Sequence, residues 1–383
     1  MKKILFILPS LAVGGLERVQ VTLANKLVNQ GYDVTILILE PIDDLKVDLD
    51  EKVRLIYRPY KNHFGKKIPY IRHKFYDDGM WETRASAEKL YQYYIGLEHY
   101  DVEIGFFRGL PTKIISGGSK KQGTTHLAWV HSDFRKADGY KSNFRTMDDV
   151  YKAYKTMDEV VCVSQEAQVG FKEVIGDTGN LCTIYNMLPI DEIIRKSQQR
   201  PQMQVKKAKL HVVLVGRMVD RAKGQMRLVN AIVRLHETGY EISLALVGSG
   251  MDEQKIKEEI IKRNATSYIF MCGNQINPYP YIREADLLVC ASYYEGYNLT
   301  VAEALILGVP VMSTDCTGPK EILGYGKYGM IVDNSTKGLY EGLKKFAENK
   351  ELLLEYKEKA VMRKNFFNEE KILKEITKLF TRK

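Results

Sequence analysis

The chain has 383 residues, room for two domains of ordinary size, and its 45% hydrophobic and 27% charged content is that of a water-soluble globular protein. No apolar run approaches the length of a membrane-spanning helix. Five scattered cysteines (162, 182, 272, 290 and 316) contain no C-x-x-C pair, so neither a zinc site nor a disulfide framework is indicated and the expected setting is a reducing cytoplasm.

Lys2-Lys3 followed by the apolar residues 4–13 imitates the start of a signal peptide, but no small-residue cleavage site follows. Gly14-Gly15 leads instead into an amphipathic helical pattern, so residues 4–8 read as a buried first strand. The two glycines let backbone approach a ligand closely, and the helix start that follows favours negative charge. Neither G-x-G-x-x-G nor a P-loop is present. Asp48-Leu49-Asp50 is a formal D-x-D, but no buried strand leads into it, and it reads as chance; no other cluster suggests a metal.

The net charge of +9 is unevenly spread: from Arg54 to Tyr76 there are seven Lys or Arg residues and no acid, interleaved with aromatics. Such a stretch suits an anionic membrane surface, with a merely solvated basic loop as the competing account. No recognised nucleic-acid motif accompanies it.

Further strands are expected over residues 33–39, 54–57, 102–106, 125–130 and 159–163, and helices over 16–30, 81–94 and 147–157. His131 ends the fourth of these strands, in Ala128-Trp129-Val130-His131, where a neutral imidazole can donate to or accept from a sugar hydroxyl. It forms no hydrolase triad with Ser132 and Asp133. Residues 191–209 are polar and basic and read as a linker between two domains, 1–195 (with a terminal helix, 366–383) and 206–365.

A second alternation follows: strands over 210–215, 242–247, 269–271, 286–292 and 328–332, and helices over 224–237, 251–264, 280–284, 298–307, 337–349, 350–364 and 368–380. That pattern predicts an α/β chain with two doubly wound, Rossmann-like parallel sheets. Gly216-Arg217 ends the first strand of this half and Lys223-Gly224 comes soon after. Two cations around one strand-to-helix loop can neutralise a diphosphate. Gly248-Ser249-Gly250 and Cys272-Gly273-Asn274 end two further strands.

The most informative stretch runs from Asp286 to Val311. A short β-type run ends at Ser292, helical spacing covers residues 298–307, and Gly308 stops the helix before a second buried strand from Val309. Glu295 and Glu303 flank the strand-to-helix turn with seven residues between them, at the sheet edge where ligands bind. The first helical turn leaves backbone amides free from about Tyr297 to Thr300. Amide donors beside carboxylate acceptors suit a nucleotide sugar, which carries a diphosphate and hydroxyls.

The E-x7-E arrangement with its Glu-Gly-Tyr start and Glu-Ala-Leu finish resembles the retaining glycosyltransferases of family 4, which have the GT-B fold. The resemblance covers most of the chain and is most specific from residue 210 to 332. It implies two Rossmann-like domains facing a cleft, with the terminal helix crossing back onto the first domain. It implies that Gly14 and Gly15 face the donor phosphate and acceptor, and that His131 lies near the reacting sugar. Arg217 and Lys223, beside Gly216, would stabilise the leaving diphosphate without a metal. Glu295 would hold the donor sugar, Glu303 the ribose, and the backbone at Gly296, Tyr297, Asn298 and Leu299 would add donor contacts. Gly273 and Asn274 would bracket the base. No cofactor is implied beyond the co-substrate, a UDP-linked sugar; the expected acceptor is a glycan or polyprenyl-diphosphate-linked oligosaccharide in surface polysaccharide assembly at the inner membrane face. The family commonly has Gly-Gly-Pro-x-Glu where this chain has Thr317-Gly318-Pro319-Lys320-Glu321, which leaves the role of that turn open. A GT-B epimerase lacks the E-x7-E pattern, and a phosphorylase needs a Lys-bound cofactor segment not found here. A non-catalytic partner subunit or glycan-binding protein would be consistent with retained UDP binding.

Overall fold

Short apolar runs bounded by turn residues form strands buried on both faces, as parallel sheets covered by helices require. In the computed structural model, which describes residues 1–58, 80–118, 123–136 and 138–381, these strands fall into two sheets. The first contains β1 (Lys3–Leu8), β2 (Asp33–Ile38), β3 (Arg54–Tyr57), β4 (Val102–Gly105), β5 (Thr125–Val130), β6 (Glu159–Cys162) and β7 (Leu181–Thr183). Their order is β3-β2-β1-β4-β5-β6-β7, and the pairs are parallel. The second contains β8 (Leu210–Val215), β9 (Ile242–Val247), β10 (Ile269–Met271), β11 (Leu287–Cys290), β12 (Val311–Thr314) and β13 (Met330–Val332), in the order β10-β9-β8-β11-β12-β13, again parallel. Each sheet therefore has a switch point where strand order reverses, between β1 and β4 in one and between β8 and β11 in the other, and ligands bind outside the carboxyl ends at such points.

The chain divides into two compact units, residues 1–187 with 370–383 and residues 188–369. In the first, β5 and β6 carry Ala128, Val130, Val160 and Cys162 into a core that includes Ile114, Phe134, Tyr154 and Phe171. The terminal helix Glu369–Leu379 packs with this unit through Ile372, Leu373, Ile376 and Leu379, while Phe380 sets its ring edge-on to Tyr32. The Lys2 ammonium donates to the Phe380 carbonyl at 2.7 Å. In the second unit, the helices Gln225–Glu237 and Thr336–Glu348 pack on the sheet through residues such as Leu228, Ile232, Leu339 and Phe346.

Two expectations are corrected. Residues 81–94 are not one helix but two, Met80–Arg84 and Ala87–Tyr94, because Ser86 adopts an extended conformation and accepts from the Lys89 amide as an N-cap. The expected linker contains the helix Ile190–Ser197, which buries Ile193 in the second unit, so the first unit ends at residue 187. The helices Leu110–Ser116 and Gln165–Val174 and the short edge strand β7 add to the expected elements. Of the basic stretch from Arg54 to Tyr76, residues 59–76 lie outside the described residues. At its start, Arg54 is paired with Glu98 and the Tyr100 hydroxyl, so an acid remote in sequence answers at least one of its charges. No helix among the described residues is long and apolar enough to cross a membrane.

Candidate functional site

The switch point of the second sheet explains why distant residues meet. β8 lies beside β11, so the loop after β8, carrying Gly216, Arg217 and Lys223, adjoins the turn after β11, carrying Glu295. The Lys223 ammonium sits 2.6 Å from Glu295 Oε1. The same oxygen accepts from the Ser292 hydroxyl at 2.6 Å and from Asn298 Nδ2 at 3.0 Å. Burial works against the Lys223 charge, but the Glu295 carboxylate, by attraction and hydrogen bonding, more than offsets it and raises the Lys223 pKa above its ordinary value. Lys223 therefore stays a cation across the physiological range.

Asn298 sets the start of the helix Leu299–Ile306. Its φ of 73° is left-handed, a conformation asparagine tolerates better than most residues, and its Oδ1 accepts from the Val301 amide at 3.1 Å. That cap leaves the amides of Leu299 and Thr300 without an intrahelical acceptor at the helix's positive end. Glu303 follows one turn later, almost wholly buried, with the Tyr279 hydroxyl 3.5 Å from its Oε1. Arg217 is exposed and has no ion pair among the described residues; Gln225 Nε2 donates to its carbonyl at 2.8 Å, which holds its backbone.

Close backbone contacts stitch the neighbouring loops together. A Cβ on Gly248 would lie 2.1 Å from the Gly216 carbonyl oxygen, and the Gly248 amide donates to the Gly273 carbonyl at 2.8 Å. Gly273 is left-handed at φ +67°, and Asn274 beside it is exposed. Gly318 presses its α-carbon against the backbone of Gly296 and Tyr297, where a Cβ would come within 2.6 Å of the Tyr297 α-carbon. The turn whose role the sequence left open has a clear one: the Thr317 hydroxyl donates to the Glu295 carbonyl at 2.6 Å.

The remaining sequence-derived residues belong to the first unit. Gly14 caps the helix Gly15–Asn29 in extended conformation, and the flexible Glu17 carboxylate folds over it. His131 follows β5, its ring 4.7 Å from that of Phe106. Burial and then the nearby Arg108 charge lower the His131 pKa to about 3, so the imidazole is neutral. Arg108, from the loop after β4, donates to the Ser132 hydroxyl at 2.8 Å.

Sequence reasoning missed Ser292, Thr314, Asn334 and Arg227, all of which bond to the Glu295 turn or to Glu295 itself. One signal was available for Arg227: a cation lying directly before Leu228-Val229 on a helix whose next turns are apolar. Among the described residues no group of three or more His, Cys, Asp or Glu side chains is arranged to hold a metal ion.

Two family models match the chain: Glycosyltransferase Family 4 over residues 13–192 and Glycosyl transferases group 1 over residues 195–363. An uncharacterized glycosyltransferase of Methanocaldococcus jannaschii is 29% identical over 238 residues, covering 54% of this chain and 58% of that protein. The Campylobacter jejuni N-acetylgalactosamine-N,N'-diacetylbacillosaminyl-diphospho-undecaprenol 4-alpha-N-acetylgalactosaminyltransferase is 26% identical over 197 residues, covering 51% of this chain and 52% of that protein. The alignments thus span little more than half the length of these two relatives. The solved structure of Anabaena HepE in complex with UDP and glucose matches at a TM-score of 0.77 over 100% of both chains, with 16% identity, so the two share a fold.

Proposed function

Because this chain belongs to glycosyltransferase family 4, we propose that it moves a hexosyl unit from a UDP-linked sugar to a glycan or lipid-linked acceptor, with retention at the anomeric carbon. The observation that carries the proposal is the Lys223–Glu295 pair at 2.6 Å, set beside the exposed Arg217 and the open first turn of the helix Leu299–Ile306.

In this reaction the bond between the anomeric carbon and the diphosphate oxygen breaks. A bond from that carbon to an acceptor hydroxyl oxygen forms on the same face, and the hydroxyl proton leaves with the diphosphate. Negative charge grows on the departing diphosphate, so fixed cations and amide dipoles act most strongly in the transition state. Arg217 and Lys223 supply the cations, and the Leu299 and Thr300 amides the dipoles. Glu295, already ordered by Lys223, Ser292 and Asn298, accepts from the donor sugar's hydroxyls. Glu303 accepts from the ribose. Neutral His131 has a hydrogen-bonding nitrogen for the sugar. No metal or cofactor takes part beyond the co-substrate.

The acceptor is a polyprenyl-diphosphate-linked oligosaccharide of a bacterial surface polysaccharide, and the protein works in the cytoplasm against the inner membrane face. The Campylobacter relative, whose name includes a diphospho-undecaprenol substrate, supports this, as does the basic stretch from Arg54 to Tyr76. Neutralising Lys66, Lys67, Arg72 and Lys74 abolishes binding to anionic liposomes on this account; unchanged binding removes the membrane from it.

The deciding experiment incubates the pure protein with a panel of nucleotide sugars and follows nucleotide release with and without EDTA. Metal-independent UDP release from one donor, lost in Glu295→Ala and Arg217→Ala, is the expected result. UDP binding with no turnover, even when lipid-linked acceptors are added, favours a non-catalytic partner subunit. A protein that binds no UDP refutes the site assignment.

A further inference from the structure

Arg227 is a charged side chain where a charge is costly. It is 5% exposed, and no carboxylate forms an ion pair with it among the described residues. Burial pulls its pKa below the ordinary arginine value, although the nearby Tyr293 opposes this. A buried cation without an ionic partner is tolerated only where hydrogen bonds replace its hydration. Here they converge on the turn that carries Glu295. Nε and Nη2 both donate to the Ala291 carbonyl, the former at 2.8 Å, and Nη1 donates to Asn334 at 3.3 Å. The Tyr293 ring lies over the guanidinium, 3.7 Å from its centre.

The rest of the turn is captured in the same manner. The Ser292 carbonyl accepts from the Thr314 hydroxyl at 2.6 Å. The Tyr293 carbonyl accepts from Asn334 Nδ2 at 3.1 Å, and the Glu295 carbonyl accepts from Thr317. Asn334 is itself bonded by Arg227, so a single guanidinium reaches the turn both directly and through a second clamp. The Tyr293 amide donates to the Ala222 carbonyl at 2.9 Å, which joins the turn to the residue before Lys223. Gly224 gives the guanidinium its space: a Cβ there would lie 2.2 Å from the Ala291 oxygen and 2.5 Å from Arg227 Nε.

We infer that Arg227 is a positioning residue of the transferase, clamping the turn after β11 so that Glu295 meets Lys223 and the donor in one fixed geometry. This rests on the assignment of Glu295 to the donor. The clamp touches no substrate. Its effect falls on the catalytic step, because misplacement of a reacting constellation by about 1 Å can cost about 100-fold in rate.

The test compares wild type, Arg227→Met, Arg227→Lys and Tyr293→Leu in three measurements: kcat and KM for the UDP-sugar identified by the panel, thermal shift with UDP, and amide hydrogen exchange across residues 291–298. Arg227→Met is expected to lose about 10- to 100-fold in kcat, with little change in the UDP-dependent shift and with faster exchange in the turn. Arg227→Lys restores part of kcat, since it keeps the charge but not the fork. Tyr293→Leu, which leaves the carbonyl bonds in place, is expected to show the same pattern more weakly and carries the test if Arg227→Met does not fold. Unchanged kcat and exchange in a folded variant overturn the inference. A wild type that neither binds UDP nor turns over a donor refutes the transferase assignment instead, and the exchange comparison still decides whether Arg227 clamps the turn.

Discussion

Lys223 depends on Glu295 for its charge state, and removing the carboxylate changes the chemistry of the cation. Burial alone would depress Lys223; the carboxylate is what holds it protonated. In Glu295→Gln the opposing influence is gone, so Lys223 titrates at lower pH than in the wild type. Residual UDP release by that variant is expected to fall as pH rises from 7 to 10, whereas the wild type keeps its cation through the same interval. A pH–rate comparison of the two proteins checks this, and parallel profiles would contradict it. Two histidines act in the opposite direction. His131 and His211 have folded-state pKa values lowered by burial to about 3 and about 4, below the unfolded value of about 6.5. The unfolded chain therefore binds more protons than the folded one between those limits. Stability is fully present above pH 6.5 and is lost as pH falls, by about 1.4 kcal/mol per pH unit for each histidine once well below 6.5. Urea unfolding at pH 7, 5.5 and 4.5 should show the loss, and His211→Gln should flatten it.

Between β11 and the helix Leu299–Ile306 the chain has almost no regular structure, yet it is among the most constrained parts of the second unit. Its carbonyls are taken by side chains from several elements, and Gly318 and Gly224 remove the atoms that would push it aside. Thr317→Val keeps shape while removing one donor, and a lost hydrogen bond of this kind costs about 1 kcal/mol. The expected outcome is a small fall in Tm with a larger fractional fall in kcat, seen by running melts and kinetics on the same preparation. Gly224→Ala is expected to be harsher, because it adds both a left-handed strain at φ +65° and a collision with the Ala291 oxygen. The local part of this site was legible in the sequence. The carboxylate spacing, the helix start at Asn298 and the cations after β8 are short-range signals, and doubly wound topology predicts their adjacency. The partners of Arg227 and Thr317 were not legible, because they are backbone carbonyls 64 and 22 residues away and carry no side-chain signature. The helix Ile190–Ser197 was hidden for another reason: Asp191, Glu192, Arg195 and Lys196 outweigh the few apolar positions, Ile190, Ile193 and Ile194, that mark its inner face.

At the scale of the molecule, the two sheets follow one plan: each turns its strand order around once, and each offers loops at the carboxyl ends beside that reversal. The alternation of strand and helix made this plan readable, while short edge pieces such as β7 gave too little pattern to register. The unit boundary near residue 187 and the return of residues 370–383 to the first unit are properties of packing. Phe380→Ala is expected to lower stability by about 3 kcal/mol, the usual cost of emptying a buried aromatic site. The loss should appear in denaturant unfolding as an earlier transition of the first unit. The discontinuity of that unit has a bearing on synthesis. A ribosome releases residues 1–187 long before it makes the terminal helix, so a complete sheet waits with the apolar surface that meets that helix uncovered while the whole second unit emerges. Such exposed surface invites self-association during translation. Stalled or prematurely terminated chains would carry it permanently, giving quality-control proteases a ready mark of incompleteness.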